Sequence, residues 1–305
     1  MSHDHAPHDH DLKDVSGRRI VIALALNVAL TITQIIGGLL SGSLALLSDA
    51  AHNGSDAAAL GIAWGAQKLA RRPADHQYTF GYERAKAIGA LINLTTLYVI
   101  ALYLIYEGIS RLIHPPEVQG MIMLIVGGIA FVEDLLSVLV LWKSTKGNVN
   151  VKAAAIHLIG DTVATVGVVL SGALILWKGI VWIDPVITLA IAVYIIIHAS
   201  MEMRKVTGLL MERAPDDLDL HALADASREV PGVLDIRHVH VWRLDESRTA
   251  MEAVVVVNAD LRMEAVEEIK TRLRRVLAHD FGVAHAVFET EAPNPDGDAG
   301  LIAVE

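Results

Sequence analysis

Six apolar runs of about 20 residues each dominate this chain, and that is the length a helix needs to cross the hydrocarbon core of a bilayer. They fall near Arg19 to Leu40, Leu44 to Leu69, Ala85 to Ile109, Met121 to Trp142, Val151 to Trp177 and Ile183 to Met203. Lipid offers the backbone no hydrogen-bond partner, so each run must be helical. The expected fold over residues 18–207 is therefore a membrane all-α six-helix bundle. Short connections join the first run to the second and the fifth to the sixth, and Pro115-Pro116 separates the third from the fourth. Cations set the orientation. Lys13, Arg18 and Arg19 precede the first run. Lys68, Arg71, Arg72, Arg84 and Lys86 lie between the second and third, and Lys143, Lys146 and Lys152 between the fourth and fifth. The opposite side carries only Arg111 and Lys178, so the positive-inside rule predicts a multi-pass protein with both termini in the cytoplasm, and the cell (inner) membrane is its expected location.

From about Gly208 the pattern changes to that of a soluble unit. A helix is expected near Leu218 to Glu229, strands near Val233 to Trp242 and Met251 to Val257, a helix near Met263 to Ala278 and a strand near Ala284 to Thr290. The order α-β-β-α-β suits a small cytoplasmic α+β ferredoxin-like domain over residues 208–292. Residues 293–305 read as a flexible tail rich in Pro, Gly and Asp. Residues 1–17 form a polar segment in which His3, His5, His8 and His10 alternate with Asp4, Asp9 and Asp11. Such a segment collects metal or acts as a weak buffer. It lacks the apolar core of a signal peptide, so the first run is expected to be retained as a span. The absence of cysteine excludes disulfides and thiolate metal sites, leaving any metal to His and carboxylate ligands. The net charge of −10, without a basic stripe, argues against nucleic-acid binding.

Ionisable groups inside the apolar runs carry the functional signal. An ionisable group at mid-membrane costs about 2.5–3.5 kcal/mol on insertion scales, so groups retained there have a purpose. His52 and Asp56 are four residues apart in the second run, and His157 and Asp161 repeat that spacing in the fifth. On a helix this spacing stacks two side chains on one face. Two such faces opposed present two imidazoles and two carboxylates to one point, a tetrahedral N2O2 set suited to Zn2+. The small residues Ala50, Ala51, Gly54, Ser55, Ala57, Ala153, Ala154, Ala155, Gly160 and Ala164 are expected to let these helices approach. The bland alternative is that the pairs make only helix-packing hydrogen bonds. Asp49 shares the His52 and Asp56 face and reads either as an accessory carboxylate or as a hydrated residue near a helix end. Glu133 and Asp134 are adjacent acids that cannot both face lipid, and they are expected beside a water-filled cavity, available to metal or proton passage. Asn27, Gln34, Asn93 and His198 are expected in interhelical hydrogen bonds.

SGSLALLSDAAHNGSDAAAL in the second run, FGYERAKAIGALIN at the third, the spacing of Asn150 to Gly167, and HVHVW at His238 to Trp242 together resemble the cation diffusion facilitator family, in its zinc-transporting branch. The resemblance extends from about residue 17 to 292. It implies a homodimeric exporter that exchanges a divalent metal for protons, carries no cofactor, and uses His52, Asp56, His157 and Asp161 as the transport site. Zn2+ is the implied cargo, with Co2+, Cd2+ and Ni2+ as further candidates. Where many members have two bulky apolar residues after the first histidine this chain has Asn53-Gly54, which is expected to loosen or polarise the site. The resemblance also suggests a cytoplasmic metal site of His240, His285 and Glu291, with His221 nearby. His238 and His240 alternate on a strand and share a face with Trp242; a structural histidine is the plain alternative. In some relatives an Asp and two His form another site in the loop before the third span. Here Asp75 remains but the matching positions are Tyr78 and Tyr82, so that site is expected to be absent or weak. Arg84 matches a basic residue that pairs with an acid at the start of the soluble domain, for which Glu212 is the nearest candidate.

Readings from other classes are a membrane-bound zinc-dependent enzyme, a metal sensor without transport, and a channel. Four protein ligands would close the coordination sphere against a substrate. They would also hold an ion too firmly for rapid conduction.

Overall fold

The computed structural model describes residues 11–142, 149–245, 248–293 and 300–301. Within them the long helices are α1 (Asp11–Ser41), α2 (Leu44–Ala70), α3 (Ala85–Ile113), α4 (Gly120–Trp142), α5 (Val149–Lys178) and α6 (Ile183–Leu210). Each covers one apolar run, and α1 and α6 continue well into their polar flanks, where Lys, Arg, Glu and Leu sustain a helix. By length and composition α3, Gly120–Val140, Ala155–Lys178 and α6 each suffice to cross a membrane. α2 is interrupted by Asp49, His52 and Asp56 and is not among these, and the described part of α1 contributes the apolar stretch Ala25–Ser41. Large apolar side chains such as Val99, Tyr106, Val132, Val140, Val163 and Trp177 face outward, as a lipid-solvated surface requires. The chain is a multi-pass membrane protein.

By contacts the chain divides into two compact units. One takes the chain to Trp64 together with Ile92–Glu202, and the other takes Gly65–Leu91 with the chain from Met203 onward. In the first, Leu46, Leu97, Met123, Val168, Ile191 and Ile195 form the interior. α4 and α5 approach most closely at glycines: a Cβ on Gly120 would meet the Gly172 carbonyl oxygen at 2.8 Å. Gly42, at φ +73°, separates α1 from α2. The start of α2 is then capped from α6, where Asp184 accepts from Ser43 Oγ (2.5 Å) and the Leu44 N–H (2.8 Å), satisfying donors a helix start leaves free.

The second unit holds α7 (Leu220–Arg228), β1 (Asp235–Arg243), β2 (Thr249–Val256), α8 (Met263–Phe281) and β3 (Val283–Glu291). Its sheet has the order β1-β2-β3, with β1 antiparallel and β3 parallel to the central β2. The α8 crossover between parallel strands is the one the sequence order predicted. Leu223, Ile236, Met251, Val255, Leu273 and Leu277 fill the core between the helices and the sheet. β1 is irregular between Arg237 and His240, with His238 at φ +50°. Part of the expected flexible tail fills that bulge: the Val239 N–H donates to the Leu301 carbonyl at 2.8 Å, and Leu301 packs on the core. The bulge leaves a strand donor unpaired by β2, and the returning chain takes it up. Of the expected tail, residues 300 and 301 make these contacts. Its other residues beyond Pro293 and the His-rich start, His3 to His10, lie outside the described residues.

Asp75 sits in the turn after α2. Its carboxylate accepts from the Tyr82 hydroxyl (2.6 Å) and the N–H groups of Tyr78 and Gln77 (both 2.8 Å). These bonds, the Tyr82 one foremost, hold its carboxyl below the usual range. Arg84 meets Glu212 at 2.7 Å, the pairing the sequence suggested, but both are exposed and the pair adds little stability.

Candidate metal centre

α2 and α5 place His52, Asp56, His157 and Asp161 in one cluster, whose donor atoms all lie within 4.8 Å of one another. His52 Nε2 is 2.9 Å from Asp161 Oδ1 and 4.0 Å from Asp56 Oδ2, while His157 Nε2 is 3.6 Å from Asp56 Oδ2 and 3.7 Å from Asp161 Oδ2. A tetrahedron with bonds of about 2.0 Å has edges of about 3.3 Å, so these separations bracket what Zn2+ requires. Among the described residues this is the one group of three or more His and carboxylate ligands that suits a metal ion.

The chemistry couples proton to metal. The 2.9 Å contact joins His52 Nε2 to Asp161 Oδ1, and a proton shared between them occupies the atoms that would bind the ion. Metal and proton therefore compete for the same atoms. The buried Nδ1 atoms of His52 and His157 have no hydrogen-bond partner, so neither ring is oriented by a carboxylate behind it, as ligand histidines commonly are. Side-chain exposure is graded, 6% for His52 and Asp161 against 41% for Asp56 and 31% for His157. The cluster therefore opens toward the C-terminal end of α2 and the N-terminal end of α5.

Of the small residues, Gly54 and Gly160 each lie against a neighbouring helix. Gly54 lies against Thr31 of α1, where a Cβ would be 3.2 Å from Cγ2, and Gly160 lies against Tyr194 of α6, where a Cβ would be 2.3 Å from the hydroxyl. They admit α1 and α6 to the ligand helices. Asn53 also faces α1: it is buried and donates to Gln34 Oε1 at 3.1 Å. Asn53 and Gly54 thus lie off the face that carries the four ligand candidates.

Asp49 lies outside the cluster. It is buried and accepts from Gln34 Nε2 at 2.6 Å, and Thr165 Oγ1 lies 3.4 Å from its other oxygen. The Thr165 hydroxyl is 2.6 Å from Asp134 Oδ2 and 3.1 Å from the Asp161 carbonyl oxygen. A polar network of Asn53, Gln34, Asp49, Thr165 and Asp134 thus backs the ligands on the side away from the opening. Asp134 is buried, whereas Glu133 is only partly buried, near Ser137 at 3.5 Å. Thr165 was not singled out in the sequence; its place four residues after Asp161, on the same helical face, is the signal that marks it. Asn93 bonds Ser55 at 3.3 Å, and the Asn27 side-chain oxygen is buried without a partner. His198 stacks on His157, with ring centroids 5.1 Å apart and planes at 23°.

His240, His285 and Glu291 do not converge within one chain. All three are exposed, but His285 pairs with Ala250 and Glu291 with Val256, which separates them by six strand positions, about 20 Å. His221 is exposed at the start of α7. Asp75 gains no second ligand, since the residues that meet its carboxylate are donors.

Comparison with known proteins identifies the family. Residues 20–211 match the cation efflux transmembrane domain, and residues 215–292 match the cytoplasmic domain of cation efflux proteins. The metal cation efflux system protein CzcD of Cupriavidus metallidurans is 33% identical over 295 residues, covering 96% of this chain and 93% of that protein. A cadmium, cobalt and zinc/H(+)-K(+) antiporter of Bacillus subtilis is 32% identical over 95% of this chain and 94% of its own. The zinc transporter ZitB of Escherichia coli is 31% identical over 95% and 93%. With both of its units matched and its length shared with these relatives, this chain belongs to the cation efflux family.

Proposed function

We propose that the protein exports Zn2+ from the cytoplasm in exchange for protons, with His52, Asp56, His157 and Asp161 as the transport site. The observation that carries this is the convergence, from α2 and α5, of two imidazoles and two carboxylates at separations matching one tetrahedral ion. Relatives named for zinc, for cadmium and cobalt, and for proton-coupled antiport agree with it. Binding requires neutral imidazoles and ionised carboxylates, so an arriving ion displaces the proton shared by His52 and Asp161, and protons from the far side expel the ion. Asp56 and His157 form the exposed rim and His52 and Asp161 the floor, which is how a site open to its loading side is built. The cation distribution supports the cytoplasm as that side. Alternating access then requires the polar network behind the floor to part, with Asp49 and Asp134 as accessory groups. The protein acts as a homodimer in the inner membrane, with its C-terminal domain in the cytoplasm.

Zinc flux in proteoliposomes bearing a pH gradient tests this. Wild type is expected to move zinc against the proton gradient, and Asp161→Ala to move none. Equal flux in the two would refute the assignment.

A further inference from the structure

Resting on that reading, we infer that His198 of α6 is a metal-capture ligand at the cytoplasmic mouth, which receives Zn2+ or a like dication and passes it to His157. Its ring lies 5.1 Å from that of His157, whose ring lies 5.8 Å from that of His52. Three imidazoles therefore form a succession from the mouth to the floor. With bonds of about 2.0 Å on either side, an ion can bridge neighbouring imidazoles after small side-chain rotations. It then need not leave one ligand before meeting the next.

The bland explanations account poorly for this ring. Near-parallel stacking points no N–H at a neighbouring lone pair, so the contact is not a hydrogen bond between the two histidines. Two imidazolium rings so placed would repel, and a purely packing role on an apolar helix is served as well by Phe or Leu. The partners along the helix fit the proposal. One turn before His198, Tyr194 faces His52 at 6.4 Å, and one turn after it Glu202 continues the face toward the end of the helix. His198 is itself half-buried, on the side where Asp56 and His157 are exposed. A nitrogen ligand there favours Zn2+, Co2+ or Ni2+ over Mg2+ and Ca2+ before the ion reaches the closed site.

The test uses full-length protein with His198→Phe, which keeps an aromatic ring in the stack and removes the nitrogens. Zinc flux in proteoliposomes should show a half-saturating concentration raised about tenfold, with the maximal rate unchanged. In purified protein the tetrahedral Co2+ absorption band should reach its wild-type amplitude but rise more slowly. The retained band also shows that the variant folds. Wild-type half-saturation and Co2+ uptake rate in His198→Phe would overturn the proposal. So would loss of the equilibrium band, which would make His198 a fixed part of the site. If wild type itself gives neither band nor flux, or if Asp161→Ala matches wild type in both, the transport-site reading fails first.

Discussion

Gly160 lies between the two α5 ligands, and its Gly160→Ala substitution probes how α6 seats against them. The added Cβ would stand 2.3 Å from the Tyr194 hydroxyl oxygen and 3.2 Å from Cζ, where ordinary contact begins at 3.4 Å. The ring must therefore withdraw by about 1 Å. The rings of His52 and His198 flank it at 6.4 and 6.2 Å, so the displacement is passed toward the metal ligands. Overpacking of this kind costs about 1–3 kcal/mol, or a factor of about 5–150 in an equilibrium that depends on the seated helix. The expected result is a lower thermal midpoint in detergent and weaker zinc binding measured by chelator competition. Tyr194→Phe deletes the clashing oxygen and leaves Cζ needing to yield only a few tenths of an ångström. Gly160→Ala combined with Tyr194→Phe should therefore recover most of the loss, with a coupling energy of about 1–3 kcal/mol in a double-mutant cycle. Additive effects of the two substitutions, within about 0.5 kcal/mol, would refute the packing argument.

Other consequences follow from the polar contacts. Thr165→Val keeps the shape and removes the hydroxyl 2.6 Å from Asp134 Oδ2; it should lower stability by about 1–3 kcal/mol, read as a fall in the thermal midpoint. Asp184→Ala uncaps α2 and should cost about 0.5–2 kcal/mol, with faster amide exchange at Leu44 and Ala45 than in wild type. Asp75 is held below its usual range by Tyr82 and two N–H groups, so its contribution is complete above about pH 4 and is lost as pH falls through the lowered value. Protease cleavage of the turn should rise on that acid limb in wild type and show a flattened pH response in Asp75→Asn.

The membrane helices were legible because a lipid-spanning run must be long, apolar and helical, and little else satisfies all three. The clustering of the four side chains was legible because four-residue spacing on a helix fixes a common face, as it does for His52 with Asp56 and for His157 with Asp161. What escaped depends on rotation between helices. Asn53 and Gly54 adjoin His52 in sequence, yet helical geometry turns them to α1. Gln34, Thr165 and Asp134 come from three helices and meet only after packing. Asp49 could be placed on the ligand face, but whether it reaches the ligand cluster or Gln34 depends on where α1 sits. In the soluble unit, alternation placed His238 and His240 on one strand face, and both are exposed. Strand register then spread His285 and Glu291 about 20 Å apart, a distance that a family pattern does not contain.

The central claim is that one ion is held by two imidazoles and two carboxylates within the membrane. Zinc K-edge absorption of the full-length protein in lipid measures that coordination directly. The expected spectrum has four nitrogen or oxygen neighbours at about 2.0–2.1 Å with imidazole scattering from two rings, and Asp161→Ala should lose the bound zinc. A six-coordinate oxygen shell, or an unchanged zinc signal in Asp161→Ala, would contradict the account.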